Sequence, residues 1–186
     1  MRQKIGMFLA FPTLAIGLLL LADSSWGTIP PDAELVDGRM TGGGSVFTDE
    51  NTFFVPSGTR VTHGFQLHCD AALTPNNLQV DIHLPDGESS RFHLEELTFA
   101  ACWNDPEANP RPPTAPFDHY LGSGVGRLDG EAGYCADWIF TDEGEPGTND
   151  RIELLRIWVC DTEVFLFSIL LEAGQPLTFG NHQAHR

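Results

Sequence analysis

Residues Tyr134–Asp150 read YCADWIFTDEGEPGTND. Tyr134, Ala136, Trp138 and Phe140 alternate with Cys135, Asp137, Ile139 and Thr141, so a period of two puts aromatic bulk on one face and a mixed set on the other. That is the pattern of a core strand. It runs straight into a turn punctuated by Gly144, Pro146 and Gly147, which carries five possible oxygen ligands: Asp142, Glu143, Glu145, Asn149 and Asp150. Upstream, His119–Asp129 places Gly122, Gly124 and Gly126 on a single face. No helical pattern follows this GxGxG, so it is not a dinucleotide fingerprint. It reads as a strand that lets the aromatic face of Tyr134–Phe140 pack close by. Downstream, Arg151–Val159 and Val164–Leu171 read as a final hairpin around Cys160-Asp161-Thr162-Glu163.

Working further outward, the same period recurs. Thr59–Cys69 places Val61, His63, Phe65, Leu67 and Cys69 on one face, and His63 there reads as a buried, hydrogen-bonded core histidine. Thr52–Val55 and Asn77–Leu84 are further strands, the second with Leu78, Val80, Ile82 and Leu84 inward. Arg91–Trp103 breaks its alternation at Glu95-Glu96, where a bulge would return Leu97, Phe99 and Ala101 to the core face. Asp105–Asp118 is proline-rich and reads as an extended connection, of a length that crosses between sheets or carries function. Gly38–Ser45 contains three consecutive glycines and reads as a flexible lead into a first strand, since a phosphate loop needs a following helix and a lysine. Short strands separated by turn chemistry, with no sustained helical period, predict an all-β antiparallel β-sandwich or jelly-roll over 38–186, as a single domain.

The N-terminus is read separately. Arg2 and Lys4 precede an apolar run, Ile5–Ala22, and Ser25-Trp26-Gly27 offers small residues at a cleavage site. This predicts a signal peptide over 1–27, then a loosely held lead-in over 28–37. The retained alternative is an N-terminal membrane anchor. Without Arg2, Lys4 and Asp23, 8 of the 10 basic residues remain against 25 of the 26 acidic ones, and no lysine is left. Such a surface repels nucleic acid and anionic lipid, which need clustered Lys or Arg. It suits a secreted or periplasmic protein with no membrane contact after cleavage. All four cysteines, Cys69, Cys102, Cys135 and Cys160, lie in the exported part, where disulfides are the default. Four cysteines allow three connectivities. Pairing Cys69–Cys102 and Cys135–Cys160, which joins ends of neighbouring strands, is favoured, and the other two stay open.

Several segments together resemble a family of secreted bacterial domains found alone or after anchor-type modules, the post-choice-of-anchor-protein domain. They are GRMTGGGSVF (Gly38–Phe47), RVTHGFQLHCD (Arg60–Asp70), PNNLQV (Pro75–Val80), RFHLEELT (Arg91–Thr98), PPTAPFDHYLGSGVGRLDG (Pro112–Gly130), WIFTDEGEPGTND (Trp138–Asp150) and GNHQAH (Gly180–His185). In order, they cover most of 38–186. The resemblance implies a secreted β-rich accessory domain, with no reaction, ligand or catalytic residue attached. It places Cys69 and Cys102 inside family-like segments and sets Cys135 and Cys160 apart, which supports pairing the latter two.

Candidate sites follow from residue types. Asp142, Glu143, Glu145, Asn149 and Asp150 can supply oxygens to calcium, although the spacing matches no EF-hand; the favoured reading is a solvated turn in which the Asp142 or Asn149 side chain bonds nearby backbone N–H groups. If Leu84 opposes Phe92 and Ile82 opposes Leu94, His83 faces His93 on the outer surface and the pair can share a transition metal; two unrelated surface histidines are the favoured alternative. His182 and His185 read as a fraying tail. Trp103, beside the proline-rich connection, is the candidate sugar-stacking aromatic, while Trp138 and Trp158 read as core. Ser123 lies in no nucleophile elbow. The expected function is a non-catalytic accessory domain with a binding or structural role outside the cell, its partner a cell-surface glycan or protein. The alternatives are a carbohydrate-binding module and a secreted hydrolase working through surface carboxylates.

Overall fold

A period of two requires each strand to bury one face, and the backbone meets that requirement with strands alone. The computed structural model describes residues 29–49, 55–106, 115–147, 149–162 and 164–186. Its elements are β1 (Arg39–Phe47), β2 (Arg60–His68), β3 (Asn77–His83), β4 (Ser89–Trp103), β5 (His119–Leu128), β6 (Glu131–Thr141), β7 (Arg151–Val159), β8 (Val164–Pro176) and β9 (Phe179–His185). They form one antiparallel sheet, ordered β8-β7-β6-β5-β4-β3-β2-β1-β9. The expected signal peptide and most of the short strand read at Thr52–Val55 lie outside the described residues, as does the middle of the proline-rich connection.

From β1 to β8 each strand neighbours the next in sequence, and β9 returns to pair with β1. Only Leu177 and Thr178 separate β8 from β9, although these are the two outer strands. Laid flat, nine strands would hold those edges roughly 38 Å apart, and so short a link spans only about 10 Å. The sheet therefore curls until its edges meet at that corner. There the Leu177 N–H donates to the Asp150 carbonyl at 2.9 Å and the Thr178 N–H to the Ser45 carbonyl at 2.8 Å. The proline-rich connection crosses no sheet: it leaves β4 and enters β5, which are direct neighbours with Trp103 opposite His119.

The buried face is continuous. Val61, Phe65, Leu67, Val80, Phe92, Trp138, Phe140, Ile152 and Ile157 belong to one cluster. Gly122, Gly124 and Gly126 make room for it as expected. A Cβ on Gly122 would lie 2.4 Å from the Trp138 ring, and one on Gly126 would lie 2.8 Å from the Phe92 ring. The triple glycine is no flexible lead; it is the middle of β1. A Cβ on Gly42 or Gly44 would lie 2.5 Å from a carbonyl oxygen of β9, and one on Gly43 would lie 2.8 Å from the His63 carbonyl. The glycines admit two flanking backbones at distances a side chain forbids.

Three details depart from expectation. The bulge at Leu94/Glu96 is present, but a second at Leu97/Phe99 turns Phe99 outward, 45% exposed, while Leu97 and Ala101 stay buried. The β3–β4 turn closes earlier than expected, with the Gly87 N–H donating to the Leu84 carbonyl, so His83 faces Ser89 and His93 faces Gln79. The lead-in is also pinned: Leu35 bridges to Trp103, and the Val36 N–H donates to the Cys102 carbonyl at 3.0 Å.

The disulfides are Cys69–Cys102 and Cys135–Cys160. The second joins neighbouring strands. The first links the end of β2 to β4, across the shorter β3. Two such bridges are the mark of an oxidising compartment. Among the described residues no helix is long and apolar enough to cross a membrane.

Candidate functional site

Four polar constellations stand out. The innermost is a pair of histidines. His63 projects from β2 and His182 from β9, both buried, with their Nε2 atoms 2.7 Å apart. His182 Nδ1 lies 2.8 Å from the Thr141 carbonyl, which can only accept, so Nδ1 carries the hydrogen. In the neutral ring His182 Nε2 is then a bare lone pair, and His63 Nε2–H donates to it. This leaves His63 Nδ1 buried without a partner. Phe65 and Phe140 stack against His63 with centroids at 5.8 and 5.1 Å. Burial drives both imidazoles toward the neutral form: His63 is held well below the usual histidine value, with the neighbouring His182 adding to the effect, and His182 falls to about 4. The core reading of His63 holds. The fraying-tail reading of His182 does not, because β9 is a paired strand and His182 is fully buried.

The acidic turn lies against β9. Asp150 Oδ2 accepts the His182 N–H at 2.6 Å and Oδ1 accepts the Glu143 N–H at 2.9 Å. Asp142 Oδ2 accepts the Ala184 N–H and Oδ1 the Gly144 N–H, both at 2.8 Å. Glu145 Oε1 accepts from Asn181 Nδ2 at 3.0 Å and from Gln183 Nε2 at 2.5 Å, and Glu143 pairs with Arg151 at 2.9 Å. The carboxylates thus stand in for a neighbouring strand along the free edge of β9, which otherwise presents unpaired N–H groups. Of the five residues considered as calcium ligands, Asp142, Glu143, Glu145, Asn149 and Asp150, four direct carboxylate oxygens to separate donors: Asp142, Glu143, Glu145 and Asp150. Among the described residues no three His, Cys, Asp or Glu side chains are placed to hold a metal together. Desolvation raises Asp142 and brings Asp150 to about 6.

At the same end, His119 lies between Asp118, 2.7 Å from Nδ1, and Glu153, 3.3 Å from Nε2. Burial works to lower its pKa, but hydrogen bonds and charge from the two carboxylates overcome that and raise it to about 9. Trp103 stacks on the His119 ring at 5.2 Å. Only 4% of Trp103 is exposed, so it is no sugar platform. Trp138 is core as expected; Trp158 is half-buried instead, with the Arg156 guanidinium 5.8 Å from its ring centre.

A groove of about 500 Å³ occupies the outer face where β3, β4 and the β5–β6 turn meet. It is lined by Asp81, His83, Ser89, Ser90, Arg91, His93, Arg127, Asp129 and Gly130. The expected His83–His93 opposition is lost to the register, yet both rings line this groove. Arg91 Nε donates to Asp81 and Arg127 Nε to Glu95, each at 2.5 Å; Arg127 Nη1 also reaches the Gly130 carbonyl at 3.0 Å. Burial works to raise the Asp81 carboxyl, but hydrogen bonds from Gln79 and Arg91 hold it below its ordinary value. The turn beneath is Asp129-Gly130, both at positive φ, a two-residue hairpin turn of the Asp-Gly type. Its Asp129 Oδ1 accepts the Arg91 N–H at 2.7 Å.

Sequence reasoning did not bring His182 to His63, nor His119 to Asp118 and Glu153. The alternation of Gly180–His185 (His182 flanked by Asn181 and Gln183) was the available signal for the first. Comparison with family models, with curated proteins and with solved structures found no match.

Proposed function

We propose that this chain is an extracytoplasmic accessory domain that binds and does not catalyse, with the groove over β3 and β4 as its ligand face. One observation carries the reading. On a chain of formal charge −16, the groove mixes guanidinium, imidazole, hydroxyl and carboxylate groups within one concavity. Donors from Arg91, Arg127, Ser89 and Ser90 beside acceptors from Asp81 and Asp129 suit a ligand that both donates and accepts, such as the hydroxyls of a saccharide. Both arginines are tied at Nε by carboxylates, so part of their rotamer entropy is lost before any ligand arrives. The resemblance to secreted accessory domains points the same way, and cell-surface glycans are the partner class this chemistry fits.

Affinity electrophoresis through gels containing neutral or uronic polysaccharides tests the reading. At least one polysaccharide should retard the protein, and Arg91→Ala with His93→Ala should weaken the retardation by about tenfold or more, the loss of one or two polar contacts. Unretarded migration through the whole panel defeats it. Release of reducing ends would move the protein to the hydrolase alternative.

A further inference from the structure

We propose that β9 is an acid-released latch: charging the His63–His182 pair loosens the C-terminal strand while the rest of the sheet keeps its register. The inference is independent of the groove. Geometry supplies a pair with no place for a second proton. His182 Nδ1–H is committed to the Thr141 carbonyl, and the two Nε2 atoms already share one hydrogen at 2.7 Å. A further proton on His63 must go to Nδ1, which has no acceptor. A further proton on His182 must go to Nε2, where it would meet the hydrogen of His63. Either choice puts a charge in a fully buried site beside the stacked rings of Phe65 and Phe140, which lie 5.1–5.8 Å from the His63 ring and 5.1–5.2 Å from the His182 ring.

The titratable groups facing the pair come from two sources. One is the pair itself, on β2 and β9, which β6 faces with the Thr141 carbonyl and the Phe140 ring. The other is the β6–β7 turn, where Asp150 and Asp142 hold the His182 and Ala184 amides and Glu145 holds the Asn181 and Gln183 side chains. An ionised Asp150 would favour a charged imidazole. Asp150 takes its own proton at about 6, above the value of about 4 at which His182 does. The counter-charge is therefore removed before the imidazole has to charge.

The signs oppose each other. Asp150 and Asp142, both raised above the ordinary carboxylate value, by themselves make the folded state more favourable as pH falls, Asp150 from about 6 toward about 4. His63 and His182, both lowered, make it less favourable as pH falls below about 6.5. Two histidines stand against two carboxylates in that sum, so release rests on the geometry, in which the pair has no acceptor for a further proton. The strain falls on β9 because it is an outer strand: its partner on one side is β1, and on the other it meets side-chain carboxylates.

Amide exchange on the disulfide-intact full chain, corrected for intrinsic rates, tests this between about pH 7 and about pH 4. Protection at His182 and Ala184 should fall about tenfold or more beyond any fall at Val80 and Phe92. His63→Phe, which cannot take a proton, should retain β9 protection to lower pH than the wild type. Should that variant not fold, imidazole titration of the wild type by NMR decides. Ring charging and the shift of the β9 amides at a common midpoint support the latch. Separate midpoints, unchanged β9 protection, or loss of β3 and β9 protection together overturn it.

Discussion

His119 shows how much one residue's surroundings can decide. On sequence it is a polar start to a glycine-rich strand. In the fold its two nitrogens meet two carboxylates and its ring meets Trp103. A histidine whose folded value is raised to about 9 stabilises the protein fully below its ordinary value of about 6.5. That contribution, on the order of 3 kcal/mol by linkage, is lost as pH rises through about 9. Wild-type melting temperature should accordingly fall between about pH 7 and about pH 9.5, and His119→Gln should flatten that slope while lowering stability at neutral pH. Parallel pH slopes for the two proteins in calorimetry would show that the ring carries no such charge. The adjacency Asp118-His119 was visible in the sequence; Glu153, 34 positions away, was not, because only pairing through β6 brings β7 near.

At the scale of elements, β5 against β6 was the most legible pair. Alternating glycines opposite alternating aromatics can satisfy packing in only one way, with Gly122 beneath Trp138. Gly122→Ala should cost about 1–3 kcal/mol, because the added methyl must displace a ring in a full core. A denaturant midpoint unchanged by the substitution would mean the ring has room to move. The β3–β4 register was less legible, and the cause is local. A strand slips by two residues without changing which side chains face inward, so the hydrophobic pattern sets the face and the turn sets the register. The acidic turn belongs here too. Asp142 does bond a nearby backbone N–H, that of Gly144, as its residue type suggests, but the amides of β9 lie more than 30 positions away and no local pattern indicates them.

For the molecule as a whole, closure rests on a two-residue link, a glycine-lined first strand and two disulfides. The bridges close loops with separations of 33 and 25 residues. Each should contribute about 3–4 kcal/mol by restricting the unfolded chain. Cys135→Ser with Cys160→Ser should lower unfolding free energy by that order, measured in urea under oxidising conditions. A change below about 1 kcal/mol would show that the last strands are held by packing alone.

By itself the sequence determined the all-β class, the inward face of most strands, the aromatic–glycine packing of β5 on β6 and the favoured cysteine pairing. These depend on periods of two and on turn residues, which act over a few positions of chain. Only the tertiary structure decided that a tail-like segment is the closing strand and that a core histidine finds its partner 119 residues away. It likewise turned a candidate metal turn toward the amides of that strand. Those outcomes depend on how far the sheet curls, and curl is a sum of many small twists and bulges that no single stretch of residues records.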